Sequence, residues 1–286
     1  MTKLKVGFLH PGDMGISLAA TAQNSGHIAC WVSAGRSRET HERAQKFGLV
    51  DAHTLKELCE TCSVIVSVCP PAAAEEVANQ VLACSFRGVY LDANATSPQR
   101  ATRIGTSLEK GGVTFVDGGI IGGPAWERGT TWLYLSGKEA HQAADCFAAG
   151  PLETCIIGDA IGKASALKMC YAAYTKGTRA LLYALLAASE KLGVRGELEQ
   201  HWSQEGSDYA KEARAATKSI KGKAWRYVGE MEEIAATFSG AGIPGEFHMA
   251  AAEIYRRCAH FKDAPERPSL EAVLEALLRT EKSRAA

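Results

Sequence analysis

The chain has 286 residues, of which 46% are hydrophobic, and it carries 32 basic and 32 acidic side chains. A chain of this length can bury a sizeable core and has room for two modest domains. The balanced charge excludes a long-range attraction to nucleic acid or to an anionic membrane, so an anionic ligand must be held by local geometry.

The N-terminus and the cysteines favour a cytoplasmic enzyme. The first residues enter a strand pattern without the order of a signal peptide, and no apolar run is long enough to cross a bilayer. Nine cysteines, an odd number, are scattered through apolar stretches such as VSVCP, which is typical of reduced, buried thiols. The one C-x-x-C, Cys59 to Cys62, has no second pair, so no metal site is predicted.

The first half of the chain alternates short β-rich runs with helical patterns. The β-rich runs are KVGFL, HIACWV, VIVSV, GVYLDA and VTFVDG, and stretches such as SLAATAQNSG and AAAEEVANQVLA separate them. This alternation predicts an α/β domain over residues 1–158, in which helices cover both faces of a parallel sheet.

Residues 159–286 are predicted to form an all-helical domain. Gly162 to Gly193 is one apolar run without proline, which predicts a helix about 50 Å long. Such a helix must be surrounded by protein, either as the core of a bundle or as a hub that also contacts a second subunit, and we favour the hub. Further helical segments follow, and the last is SLEAVLEALLRTEK, opened by Pro268 and Ser269.

The stretch VGFLHPGDMG, residues 6–15, links the first strand to the first helical pattern. It matches the dinucleotide-binding fingerprint G-x-G-x-x-G except that His10 replaces the first glycine. Gly12 would let the backbone approach a pyrophosphate, Gly15 would allow close helix packing, and Asp13 is expected to cap the helix. We interpret His10 as a turn residue near the cofactor rather than a catalytic base. The predicted cofactor contacts here are His10, Pro11, Gly12, Asp13, Met14 and Gly15.

The end of the second strand predicts which dinucleotide binds. NAD sites usually have an acidic residue there for the ribose 2′-hydroxyl, whereas NADP sites have a cation for the 2′-phosphate. Here the strand is followed by Gly35, Arg36, Ser37 and Arg38, with no acid before Glu39. An arginine beside a hydroxyl suits a phosphate dianion, so NADP(H) is predicted, with Gly35, Arg36 and Ser37 as contacts. The alternative is an ordinary solvated basic loop.

These residues resemble the β-hydroxyacid dehydrogenase superfamily, which also contains 6-phosphogluconate dehydrogenases and imine reductases. The family turn G-F-I-G-L-G-x-M-G corresponds to GFLHPGDMG, and the family N-R-S corresponds to GRS. The loops VSVCPP and DANATSP are similar to family segments near the cofactor, which implies contacts from Val68, Cys69, Pro70 and Asn94.

The resemblance continues to the substrate region and covers nearly the whole chain. The family D-A-P-V-S-G-G corresponds to DGGIIGG, Asp117 to Gly123, and its G-x-G-x-x-x-K motif to GKASALK, ending at Lys168. The chain is most similar to a branch with HPG in the first turn and a segment like KAWRYVGEMEEIA. The resemblance implies an N-terminal Rossmann domain, an all-helical C-terminal domain built on the long helix, and a homodimer.

Several polar anchors of the family are replaced in this chain. Ile121 stands where the family has a serine that holds a substrate carboxylate. Tyr171 and Ala172 stand at the two asparagine positions after the catalytic lysine, and the family Lys-Asp pair is Gly229 and Glu230. Neither a small β-hydroxyacid nor 6-phosphogluconate is therefore predicted as the substrate.

Lys168 is the lone cation in the apolar helical run ASALKMCYAAY. It either extends to solvent or faces a cleft, where burial would lower its pKa and suit it to proton donation. Tyr171, one turn along, is predicted to position the donor or the substrate. The predicted substrate contacts are Ile120, Ile121, Gly122, Gly123, Trp126, Trp225, Glu230 and Met231, with core packing as the alternative for the apolar and aromatic ones.

These observations predict an NADPH-dependent oxidoreductase. It would transfer hydride to or from a carbonyl or alcohol of a relatively apolar small molecule, with Lys168 as general acid or base. An NADPH-dependent imine reductase is an alternative, because an apolar pocket without a carboxylate anchor suits an imine equally well. A non-catalytic NADPH-binding redox sensor is an alternative of another class, although a sensor needs no proton donor.

Overall fold

The computed structural model describes residues 2–279, and the chain divides into two compact units between Met169 and Cys170. The predicted domain boundary, between residues 158 and 159, lies eleven residues before this division. Within residues 2–279, no helix is both long enough and apolar enough to span a membrane.

The first unit is built on one sheet of eight strands, in the order β3-β2-β1-β4-β5-β6-β7-β8. Its strands are β1 (Lys5–Phe8), β2 (Ile28–Trp31), β3 (Val50–Asp51), β4 (Val64–Ser67), β5 (Val89–Asp92), β6 (Thr114–Gly122), β7 (Thr131–Ser136) and β8 (Glu153–Ile156). All neighbouring strands are parallel except β6 and β7. The predicted α/β architecture is confirmed, with a mostly parallel sheet.

Three strands, β3, β7 and β8, were not predicted. β3 is only two residues long. β7 begins with alternating buried and exposed residues, and β8 has no fully buried residue. None of them has the continuous buried apolar run of strands such as β4, because they lie toward the two edges of the sheet.

Helices cover both faces of this sheet. They are α1 (Asp13–Asn24), α2 (Arg38–Lys46), α3 (Leu55–Thr61), α4 (Ala74–Ala83), α5 (Pro98–Lys110) and α6 (Ala140–Asp145), with a 3₁₀ turn at Pro71–Ala73. Successive strand residues point to opposite faces. On β4, Val64 and Val66 pack in one core with residues of α1 and α6, whereas Ile65 packs in the other with residues of α3, α4 and α5.

Residues 163–192 are helical throughout, which confirms the predicted long helix. The run consists of α7 (Lys163–Ala172), a π-helical segment (Ala173–Gly177) and α8 (Thr178–Leu192). It ends at Gly193, which has a φ of 72°, a left-handed conformation that glycine adopts without strain. The apolar pattern did not reveal the π-helical segment, a feature that is frequent at functional sites.

The second unit is helical in the residues that the structure describes. After α8 come α9 (Arg195–Gln204), α10 (Tyr209–Ala216), α11 (Ala224–Gly240), α12 (Glu246–Arg257) and α13 (Leu270–Leu278), with 3₁₀ turns at Thr217–Ser219 and Ala259–Asp263. α11 packs on α12, and α8 packs on α10, α12 and α13. Ser269 caps α13 by accepting the N–H of Ala272 at 3.1 Å. The predicted final helix includes residues 280–282, which lie outside the described residues.

Candidate functional site

The candidate nucleotide site lies at the carboxyl edge of the parallel strands in the first unit. The strand order places β1 beside β4, where the chain crosses from one half of the sheet to the other. Open α/β sheets bind ligands at this switch point. The loops that follow β1, β2, β4 and β5, together with the first turn of α1, bring all the predicted cofactor contacts to this edge.

The turn after β1 leaves room beside the N-terminus of α1. Gly12 is the N-cap of α1, with φ −71° and ψ −168°, and a Cβ at Gly12 would meet no atom within 4 Å. A Cβ at Gly15 would lie 2.2 Å from the carbonyl oxygen of His10, so this glycine is required for close packing. The first amides of a helix have no partner within the helix, and Gly12 leaves open space in front of them. These residues therefore fit a dinucleotide phosphate.

The expectation that Asp13 caps α1 is wrong. Asp13 is the first residue of the helix, Gly12 is the N-cap, and no side chain caps it. The Asp13 carboxylate instead lies 3.2 Å from Nη2 of Arg43. The reason is that the fingerprint turn already positions Gly12 in extended backbone at the N-cap, one residue before Asp13.

His10 and Arg36 lie together beside this turn. Nη2 of Arg36 donates to the carbonyl oxygen of Leu9 at 3.0 Å. Among the described residues, Nδ1 of His10 and Nε of Arg36 are buried and have no hydrogen-bond partner. Burial, and secondly the charge of Arg36, lowers the pKa of His10 to about 4. His10 is therefore neutral near pH 7.

The other residues after β2 have different partners. Gly35 has a φ of 72°, which allows the loop to turn. Ser37 is the N-cap of α2, and its hydroxyl accepts the N–H of Thr40 at 3.4 Å. The exposed side chain of Arg38 pairs with Glu42 at 2.7 Å.

Arg43 on α2 contacts the turn after β1 and was not among the predicted residues. Its Nη1 donates to the carbonyl oxygen of Pro11 at 3.3 Å, and its Nη2 pairs with Asp13. It is one of several charged residues in the polar helix RETHERAQK. No local pattern distinguishes it from its neighbours, because its role depends on the packing of α2 against the turn.

The loops after β4 and β5 are joined by Asn94. Its Oδ1 accepts the N–H of Cys69 at 2.5 Å, and its Nδ2 donates to Oγ of Ser67 at 3.1 Å. Burial is the main cause that raises the pKa of Cys69 to about 12, so this thiol stays protonated. Val68 and Cys69 are half-buried, and Pro70 is exposed. The buried amide of Asn94 thus holds the backbone of the β4 loop at the edge of the sheet.

Lys168 is positioned by a buried network that connects α7 to the sheet. Asp117 on β6 accepts hydrogen bonds from the N–H groups of Gly162 (2.9 Å) and Ser165 (3.1 Å) and from the hydroxyls of Ser165 (2.6 Å) and Ser136 (2.9 Å). Burial raises the pKa of Asp117 above its ordinary value, and these hydrogen bonds oppose the rise. The carboxylate satisfies amides at the N-terminus of α7 that have no helical partner, and a negative group is favourable there.

Gly119 lets α7 approach β6 closely. A Cβ at Gly119 would lie 2.6 Å from the carbonyl oxygen of Ala164 and 3.1 Å from Cβ of Lys168. Asp92, the last residue of β5, is the register partner of Asp117, so Gly119 lies in the part of β6 that extends beyond β5. Lys168 therefore lies at the same edge of the sheet as the nucleotide loops, and its side chain is half-buried.

The predicted substrate contacts of the first unit have several environments. Ile120 is 6% exposed and packs in the core, so core packing accounts for it. Ile121 is half-buried, and Gly122 and Gly123 are exposed at the end of β6. Trp126 is exposed and stacks on Phe47, with the ring centroids 5.2 Å apart.

The predicted residues of the second unit also differ from one another. Met231 is fully buried, so core packing accounts for it as well. Tyr171 is exposed. Trp225 is partly exposed, and Nζ of Lys262 lies 4.7 Å from its ring centroid.

Glu230 pairs with Lys176, a residue of the π-helical segment that was not predicted. Both side chains are mostly buried, and Nζ of Lys176 lies 4.7 Å from the ring centroid of Tyr227. The hydroxyl of Tyr255 donates to the carbonyl oxygen of Lys176 at 2.8 Å. Lys176 differs from the other residues of the long helix in lying in the π-helical segment. The sequence did not predict that segment, so it did not single out Lys176.

Two family models match the chain. Residues 5–148 match the model described as the NAD binding domain of 6-phosphogluconate dehydrogenase, which is half of the chain. Residues 189–258 match a domain of unknown function. An uncharacterized 28.5 kDa protein of Methanothermus fervidus is 29% identical over 196 residues, which is 68% of this chain and 74% of that protein.

Solved structures share the fold over most of the chain. One is a conserved protein of unknown function described as structurally similar to 3-hydroxyacid dehydrogenases, with 25% identity, a TM-score of 0.64 and coverage of 90% of this chain and 99% of that one. The 3-hydroxyisobutyrate dehydrogenase of Mycobacterium tuberculosis is 17% identical, with a TM-score of 0.70 and coverage of 97% and 100%. An imine reductase of Bacillus cereus is 18% identical, with a TM-score of 0.54 and coverage of 96% and 99%.

Proposed function

The chain belongs to the family of the NAD binding domain of 6-phosphogluconate dehydrogenase, and from this premise we propose that it is an NADPH-dependent oxidoreductase. It transfers hydride to or from a carbonyl or alcohol of a relatively apolar small molecule. The observation that carries the proposal is the anchoring of α7 by Asp117 and its close approach at Gly119, which bring Lys168 to the edge of the sheet that holds the nucleotide turn.

The proposed cofactor preference rests on the basic side chains beside the turn. Arg36 and Arg43 both contact its backbone, at Leu9 and Pro11. Two arginines near one turn suit a dinucleotide with an additional phosphate, and an arginine holds a phosphate through paired N–H donors.

Lys168 serves as the general acid in the direction of reduction. The bound dinucleotide supplies the hydride. As negative charge grows on the carbonyl oxygen, an ammonium group within hydrogen-bonding distance stabilises it and transfers a proton to it. The network of Asp117 holds the first turn of α7 against the sheet, and therefore fixes the point from which the side chain of Lys168 extends.

The proposed substrate is a carbonyl compound without a carboxylate at the reacting end. Ile121, which stands where related enzymes have a serine for that carboxylate, is half-buried at the end of β6 and offers no donor from its side chain. The same observation favours an imine as the second candidate. The structural similarity to an imine reductase is consistent with this alternative. A redox sensor would bind NADPH in the same way but would not consume it.

The proposed assembly is a homodimer formed through α8. Leu181 and Leu185 are each 44% exposed, and Leu192 is 75% exposed. Their spacing of four and seven residues places them on one face of the helix. A second copy of the same helix is complementary to such a stripe, and two-fold dimers are the commonest oligomers.

The experiment combines binding and turnover. Fluorescence titration should give a lower Kd for NADPH than for NADH, and equal values would contradict the proposed cofactor. Protein and NADPH are then incubated with pooled small ketones, aldehydes and cyclic imines, and mass spectrometry identifies the compound that is reduced. NADPH binding without consumption of any compound, including those of a whole metabolite extract, would favour the sensor.

A further inference from the structure

The nucleotide turn contains a histidine whose hydrogen bonding is incomplete. Nδ1 of His10 and Nε of Arg36 are both buried without a partner among residues 2–279. Both groups adjoin the turn in which Gly12 leaves open space at the N-terminus of α1. Buried polar atoms are almost always paired in native proteins, and an unpaired one is costly. Because both nitrogens lie beside the nucleotide turn, they are suited to a ligand that carries hydrogen-bond acceptors.

The charges around His10 define which ligand fits. Arg36, from the loop after β2, is held against Leu9, and Arg43, from α2, is held against Pro11. On α1, Asp13 is already paired with Arg43. Cys69, in the loop after β4, interacts with Arg36 and remains a neutral thiol. The local balance is cationic, so the acceptor that fits best is an anion such as a phosphate group.

We infer that a phosphate group of the dinucleotide completes the hydrogen bonding of His10 and Arg36, and that binding is coupled to the uptake of one proton by His10. This inference rests on the proposed function. A glycine at this position, as in the usual fingerprint, has no side chain that could take up a proton. The substitution of the first glycine by His10 would therefore make cofactor affinity depend on pH.

The direction of the coupling follows from the charges. In the free protein, burial and Arg36 lower the pKa of His10 to about 4, so the ring is neutral at pH 7. A phosphate anion beside the ring favours the imidazolium form and raises the pKa toward that of an exposed histidine. Affinity should therefore fall as pH rises through the pKa of the bound state. Between pH 5 and pH 7 we expect a decrease of about tenfold from this group alone.

The test is isothermal titration calorimetry with NADP⁺, which is stable in acid, in two buffers that differ in ionisation enthalpy. The difference in heat between the buffers gives the number of protons taken up. At pH 5.5 the number of protons taken up per bound dinucleotide should be larger for the wild type than for His10→Gln by about half a proton or more, because glutamine cannot be protonated. Protons taken up or released by the 2′-phosphate itself contribute equally to both proteins, so they cancel in this difference. His10→Gly is a second variant that restores the fingerprint, and both are checked for an unchanged unfolding midpoint.

A parallel titration with NAD⁺ at higher concentration identifies the phosphate. Uptake that depends on His10 with both dinucleotides indicates the diphosphate bridge, and uptake with NADP⁺ only indicates the 2′-phosphate. His141→Gln, at an exposed histidine of α6, should behave as the wild type. Tight NADP⁺ binding with equal proton uptake in wild type and His10→Gln would overturn the inference while leaving the proposed function intact. Absence of binding to either dinucleotide would overturn both.

Discussion

Two neighbouring arginines in the loop after β2 make different contacts. Arg36 is half-buried and donates to the backbone of the nucleotide turn, whereas the exposed Arg38 pairs with Glu42. A charged hydrogen bond to a phosphate contributes about 1.5 to 3 kcal/mol, and an exposed ion pair contributes about 0 to 1 kcal/mol. The two residues are therefore a matched pair for testing the cofactor assignment.

Arg36→Ala should weaken NADPH binding by about 10- to 150-fold, which corresponds to that free energy. It should weaken NADH binding less, because NADH has no 2′-phosphate. Arg38→Ala should leave both affinities nearly unchanged. Fluorescence titration measures all of these values, and similar losses in the two variants would show that Arg36 has no particular role.

Lys168→Met tests the proton donor, since methionine keeps the length and the apolar packing of the side chain. General acid catalysis contributes about a hundred- to ten-thousand-fold, so the rate of single-turnover NADPH oxidation should fall by that range with an accepted substrate. NADPH affinity should change little, because the role proposed for Lys168 is to stabilise charge that is present only in the transition state.

Lys168→Arg should not restore the rate, since a guanidinium does not release its proton readily. If Lys168→Met stayed within threefold of the parent rate, the proton would come from another group. Tyr171, which lies one turn along in the sequence and is exposed, would then be the leading candidate.

Among the elements, the contact between β6 and α7 determines the position of Lys168. Asp117 satisfies the N-terminal amides of Gly162 and Ser165, and Ser136 on β7 accepts the N–H of Ala164 at 3.0 Å. The antiparallel strand β7 thus supplies part of the cap of α7. Because both caps come from the sheet, the helix begins at a defined distance from β6.

Gly119→Ala should disturb this contact, because its Cβ would lie 2.6 Å from the carbonyl oxygen of Ala164. We expect a loss of about 1 to 3 kcal/mol in the free energy of unfolding, as in overpacked cores. Gly123→Ala is the matched control, since a Cβ at Gly123 would meet no atom within 4 Å. Urea denaturation measures both variants, and values within about 0.5 kcal/mol of each other would rule out the close contact.

For the whole molecule, the exposed leucines of α8 predict how the protein assembles. Leu185→Glu introduces a charge into the apolar stripe and should convert the proposed dimer to a monomer. Lys191→Glu is the control, because it introduces a glutamate at an exposed position of α8 that lies off this face. This variant should remain dimeric. Light scattering at micromolar concentration gives the mass, and a monomeric wild type would remove the hypothesis.

Features that depend on neighbouring residues could be predicted from the amino-acid sequence. The alternation of strands and helices, the turn with Gly12 and Gly15, and the helical run that ends at Gly193 were all predicted. Each depends on periodicity or on a backbone conformation that only certain residues adopt easily, so a few letters of sequence are enough. Sequence patterns are less informative about apolar residues such as Ile120 and Met231, which were predicted as substrate contacts and are buried in the structure. An apolar residue has the same sequence pattern whether it lies in a core or lines a pocket.

The packing of the folded chain determines which distant residues meet. Arg43 contacts Pro11 across 32 positions of the chain, and Ser165 contacts Asp117 across 48. Lys176 and Glu230, which form an ion pair, are 54 positions apart in the chain. Polar residues such as these have the same local pattern whether they face solvent or one another. Their partners depend on how strands and helices pack, and that packing is the sum of many apolar contacts that no short stretch of sequence contains.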